Sequence, residues 1–175
     1  MLKYKIVSVI LLFWPGIIVA EIYPVYKNSS TIAVLDQEYL FTESIWGKEI
    51  LKRVEMDVAD LSAENRSIEK LLEEEELLLT EKRKIIKKIE FDKLSLAFDS
   101  KVKKIRTDQA NKQRDINFFL NEKRKLFFEK ITPILLSFID ELGIEVLLNK
   151  DTVALASTGS DITMVAIARI NSHLK

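Results

Sequence analysis

The stretch Leu51-Lys-Arg-Val54-Glu-Met-Asp-Val58-Ala-Asp-Leu61-Ser-Ala-Glu-Asn65-Arg-Ser-Ile68-Glu-Lys-Leu-Leu72-Glu-Glu-Glu75-Glu-Leu-Leu-Leu79 decides how this chain folds. Its apolar residues return at spacings of three and four, at Leu51, Val54, Val58, Leu61, Ile68, Leu72 and Leu79. Asn65 and Glu75 occupy two positions of the same series. Such a series is a heptad seam, the stripe along which one helix lies against another. A second seam follows at Phe91, Leu94 (or Ser95), Phe98, Val102, Ile105, Gln109, Lys112, Ile116, Phe119, Lys123 and Leu126.

Residues 44–142 are helix-forming almost throughout, with Pro133 the only proline and Gly47 the only glycine. One straight helix of that length would reach roughly 150 Å at 1.5 Å per residue. Two antiparallel arms of roughly 60–75 Å are the more economical reading. The expected tip is Lys82-Arg-Lys-Ile-Ile-Lys-Lys-Ile-Glu90, where the seam loses its register. Charge favours the same hairpin. Residues 42–84 hold twelve acidic and eight basic groups, whereas residues 85–130 hold seven and thirteen. Laid antiparallel, the two halves attract, although each exposed pair is worth only a few tenths of a kcal/mol. The Glu73-Glu74-Glu75-Glu76 run points around its helix and reads as a solvated face rather than a cation site.

Upstream, Thr31-Ile-Ala-Val-Leu35 is a short apolar run that reads as a buried strand, and Thr42 or Ser44 would cap the first arm. Downstream, Gly143 is placed to stop the second arm. Ile144–Leu148 and Thr152–Ala156 read as two strands joined by a tight turn at Asn149-Lys-Asp151. Asp161 would cap a last helix reaching about His173. The fold class is therefore α+β, mostly α. A long antiparallel helical hairpin (44–142, tip near 82–90) stands on a small β body built from 31–43 and 143–175.

Residues 1–20 read as a cleavable signal peptide. Lys3 and Lys5 open it, Ile6 to Phe13 is almost wholly apolar, Pro15-Gly16 breaks it, and Ala20 precedes the expected cut. An uncleaved anchor is the alternative, but the run is short for a membrane span. Residues 21–30 form a flexible leader. Export with zero cysteines means that stability does not come from disulfides. One histidine and no cysteine also argue against a structural zinc site, and no metal or other cofactor is expected. The formal net charge of zero leaves no electrostatic footprint for nucleic acid. No glycine-rich phosphate loop or nucleophile elbow is present, so the chain does not read as an enzyme.

Both ends carry a family resemblance. Ile32-Ala-Val-Leu-Asp-Gln-Glu-Tyr-Leu-Phe41 with Ser44-Ile-Trp-Gly-Lys48 resembles the opening strand and helix start of the Skp/OmpH family of periplasmic chaperones. Gly143-Ile-Glu-Val-Leu-Leu-Asn-Lys-Asp-Thr-Val-Ala-Leu-Ala156, followed by Asp161-Ile-Thr163 and Ala166-Ile-Ala-Arg-Ile170, resembles its closing elements. Between them, Glu90-Phe91 and Ala97-Phe-Asp-Ser-Lys-Val102 are the more family-like parts of the coiled coil. The resemblance implies a homotrimer with a shared β body and three helical tentacles. It implies further that unfolded outer-membrane proteins are held between them in the periplasm without ATP. Binding of anionic lipid, attributed in the family to strong positive charge, is not carried over to this neutral chain. The competing reading is a structural coiled-coil spacer or anchor of the cell envelope, which would have no use for a tail that returns to pair with 31–35.

Two sets of residues stand out on the arms. Phe118 and Phe128 fall away from the second seam and are candidate client contacts, or else pack on the body or a neighbouring subunit. Asn65, Gln109 and Lys112 are candidate hinge residues. With the tip near Lys87, Asn65 faces Gln109 in a layer that buries little apolar area. That layer is either a soft joint or a hydrogen-bonded register mark.

Overall fold

The computed structural model describes residues 31–174, so the signal peptide and leader read from residues 1–30 lie outside the described residues. A short strand β1 (Ile32–Leu35) leads into helix α1 (Gln37–Glu43) and then the arm helices α2 (Ile45–Arg83) and α3 (Lys88–Glu141). Strand β2 (Val146–Asn149), two 3₁₀ turns and helix α4 (Thr163–His173) complete the chain.

The hairpin follows its seams. Leu51, Val54, Ile68, Leu72 and Leu79 are half-buried on α2, and Phe98, Val102, Ile105, Ile116 and Phe119 are half-buried on α3. Ser95 rather than Leu94 takes the ambiguous seam position. Val58 is exposed although its spacing puts it in line, and the neighbouring Asp57 is half-buried instead. The turn at residues 84–87 falls inside the stretch expected for the tip. At 1.5 Å per residue, α2 extends ~58 Å and α3 ~80 Å, the excess of α3 running alongside the body. Gly143 ends the second arm with φ of 67°, the left-handed conformation glycine accepts most readily.

Residues 37–43, read from the sequence only as part of the β body, form a separate helix. Asp36 caps it by accepting from the Tyr39 N–H at 2.8 Å. Ser44 then turns the corner between α1 and α2. Its Oγ accepts from the Gly47 N–H at 3.0 Å and donates to the Phe41 carbonyl at 2.9 Å. Both orphan groups at this elbow are thereby satisfied inside the protein.

β1 and β2 pair in parallel, Ile32 opposite Val146 and Leu35 opposite Asn149, so the tail does return to the opening strand. The expected second tail strand at Thr152–Ala156 does not form. A 3₁₀ turn at Lys150–Thr152 carries the chain off, held by Thr152 Oγ1 donating to the Asn149 carbonyl at 2.7 Å. The far edge of β2 stays open, but this turn leads the β-branched and apolar residues that suggested a strand away from it, and propensity alone does not make a strand. Leu155 is left 95% exposed.

The third contribution to the sheet comes instead from Asp161, which bridges Val34 in parallel. The cap position of α4 falls on Ile162 rather than on the expected Asp161, which braces the turn one residue earlier. The Asp161 Oδ1 accepts from the Thr163 N–H at 3.0 Å and from Thr163 Oγ1, which itself accepts from the Asp36 N–H at 2.9 Å. Partial burial pushes the Asp161 carboxyl up, but hydrogen bonds from Thr163 and Lys150 outweigh it and hold the group below the ordinary range.

The core lies where the arm roots meet this body. Leu35, Leu40, Phe41, Phe127, Ile131, Ile144, Ile162 and Ile170 are buried together. Phe127 packs edge-on to Phe41 at 5.3 Å and stacks on Trp46 at 5.6 Å, which fastens α3 to the α1–α2 elbow.

Candidate functional site

Beyond the body the arm is two helices with a single half-buried seam and no third layer. Leu61 is the only large side chain of α2 that is buried among the described residues. One turn further out comes the polar layer read from the sequence. Asn65 and Gln109 are both half-buried on the seam. Gln109, however, donates to Glu64 Oε1 at 3.2 Å rather than to Asn65, and its own Oε1 is buried without a hydrogen-bond partner among the described residues. Lys112 reaches the same carboxylate, its Nζ donating to Glu64 Oε2 at 2.6 Å. The Lys112 and Gln109 hydrogen bonds hold the Glu64 carboxyl below its usual range.

Glu64 is the residue that sequence reasoning missed. It stands beside the seam rather than on it, so heptad periodicity gave no reason to choose it over Asn65. The nearest sequence signal was the charge asymmetry of the two arms, which predicted cross-arm pairs without naming them. Toward the tip a second clasp joins Lys101 to Glu75, whose seam position was legible.

The two candidate phenylalanines part company. Phe128 is half-buried against the body core, edge-on to Phe127 at 5.3 Å and under the Arg124 guanidinium. Phe118, on α3 out beyond the body, is 67% exposed. It belongs to a broader set that the sequence did not single out. Leu71, Leu78 and Leu94 on the outer arm are also exposed, and Ile85 at the tip is 82% exposed. Exposed leucines on a helix whose seam is already filled are a surplus that structure alone does not require.

No helix among the described residues is long and apolar enough to cross a membrane, and none of their His, Asp and Glu side chains cluster as a metal site would require. On the body, Ile32, Val146, Leu148 and Met164 add to the exposed apolar surface.

Comparison with known proteins fits this architecture. The family model described as "Outer membrane protein (OmpH-like)" matches residues 31–170, which takes in the body and the whole arm. A crystal structure from Caulobacter crescentus, of a protein assigned as an OmpH-like outer membrane chaperone, matches with a TM-score of 0.75. The match covers 85% of this chain and 88% of that one at 16% sequence identity, a likeness of fold. No curated protein matches by sequence. With the family model spanning strand, arms and tail alike, this chain belongs to the OmpH-like family.

Proposed function

We propose that this protein is an ATP-independent holdase of the periplasm that binds unfolded outer-membrane proteins in a cavity between helical arms. The observation that carries the reading is the division of the chain into a packed body and a bare arm that keeps large apolar side chains in solvent. A folded partner offers little that such a scattered surface could match, whereas an unfolded chain can meet it at many weak points.

A cavity between arms requires several copies, and we take the assembly to be a homotrimer. Two points support association. A two-stranded sheet is too small to be stable by itself. Its open β2 edge lies in a body that exposes Ile32, Val146, Leu148 and Leu155. The segment 152–156, strand-like in sequence and unpaired within the chain, is suited to meet a second copy. A spacer or anchor would need the arm but not its exposed leucines.

The test is aggregation of a β-barrel protein diluted from urea, followed by light scattering without nucleotide. Suppression at stoichiometric amounts supports the holdase; failure by an intact oligomer sinks it. Within the same assay, Phe118→Ala should weaken suppression severalfold while moving stability by less than about 0.5 kcal/mol, as expected for an exposed side chain. An unchanged assay would remove Phe118 from the client surface.

The polar layer is proposed as a soft joint that lets the arms adapt to clients of different size. Hydrogen exchange should be faster at residues 62–66 and 106–115 than at 51–58 and 116–126. Leu61 marks the inner boundary of the fast zone. Equal protection along both arms would leave the Glu64 clasp only the role of fixing register.

A further inference from the structure

The two long edges of the hairpin differ. The clasps Glu64–Lys112 and Glu75–Lys101 bind the helices together, and none of these four residues lines a broad hollow along the arm. That hollow, a groove of about 980 Å³, opens on the other side of the seam. Its apolar lining comes from Leu72, Phe98, Val102 and Ala110. Its walls are opposite in sign. α2 supplies Glu69, Glu73 and Glu76, while α3 supplies Lys103, Arg106 and Arg114 around a single acid, Asp99. None of those six wall charges enters an ion pair among the described residues, although three acids and three bases face each other across one groove.

We propose that this groove seats an extended segment of an unfolded client, its apolar side chains turned to Leu72, Phe98 and Val102 and its backbone bracketed by the two walls. The assignment rests on the holdase reading and gives it a subsite within each arm. The chemistry suits an unpaired extended backbone. Such a backbone has bare N–H and C=O groups that need partners once out of water. Carboxylates accept from the first and Lys or Arg donate to the second. Alternation of apolar and polar side chains is the pattern of a membrane β-strand. The size also fits: Phe98 to Arg114 spans ~24 Å of helix, the length of roughly seven extended residues.

The probe is a fluorescein-labelled ten-residue peptide of alternating leucine and threonine, titrated with the full chain and followed by anisotropy. Ala110→Trp, which fills the groove from an exposed position, should weaken binding at least tenfold. Arg106→Glu should do the same and Arg106→Lys should restore it. Asp108→Trp, outside the groove, should stay within twofold. Circular dichroism checks that each variant keeps its helicity, and Arg106→Glu decides if Ala110→Trp does not. Suppression of barrel-protein aggregation is measured alongside. If the wild-type chain suppresses aggregation but peptide affinity is absent, or indifferent to Ala110 and Arg106, the groove assignment is overturned and the holdase stands. If the wild-type chain neither suppresses aggregation nor binds the peptide, both fall.

Discussion

Replacing Phe127 with alanine should lower the unfolding free energy by about 3–5 kcal/mol, enough to remove much of the stability of a small body. The ring is fully buried and touches three other aromatics, Phe41, Trp46 and Phe128, so its loss leaves a cavity that no neighbour can close without leaving its own contacts. Because it ties α3 to the α1–α2 elbow, the damage should spread from the body to the arm root. Urea denaturation followed by helicity measures it. A loss below about 1 kcal/mol would mean that the aromatic cluster is not what joins arm to body.

Gly47→Ala should be comparably harmful for a different reason. An added Cβ would sit 1.7 Å from the Phe41 carbonyl oxygen and 2.9 Å from Ser44 Oγ. The carbonyl cannot retreat without breaking the Ser44 bonds that turn α1 into α2. Backbone overlap of this kind belongs at or beyond the upper end of overpacking costs, about 3 kcal/mol. Gly159→Ala is the matched control, since nothing lies within 4 Å of its Cβ position, and it should change stability by less than about 0.5 kcal/mol. Equal effects from the two substitutions would contradict the close-approach account.

How much of this was legible in the sequence depended on whether the signal was local. Leu51 to Leu79 and Phe91 to Leu126 mark their seams because a helix repeats its face every three to four residues, whatever it packs against. Gly143 was readable for the same reason, since a left-handed stop is decided within a few residues; Asp161 lies one residue ahead of the cap it was expected to be. Helix α1 was missed because Gln37–Glu43 is barely two turns long and adjoins a strand, too short for its period to appear. Thr152–Ala156 misled because strand propensity reports residues that would suit a sheet, not whether the preceding turn brings them back to its edge. Of the candidate residues, Gln109 and Lys112 do meet, but on Glu64, and Phe128 proved to be body where Phe118 did not. Helical spacing gives the face of a side chain, whereas the distance along the arm at which the body ends is a property of the folded chain.

The central claim is that several copies of this chain hold an unfolded outer-membrane protein without nucleotide. Sedimentation velocity of the purified protein, alone and with a urea-unfolded β-barrel protein diluted into the same buffer, tests it most directly. The account predicts a single species of three times the chain mass, converted by the client into a larger soluble complex with no nucleotide present. A helical, cooperatively folding monomer at micromolar concentration, or an intact trimer that leaves the client to pellet, would contradict it.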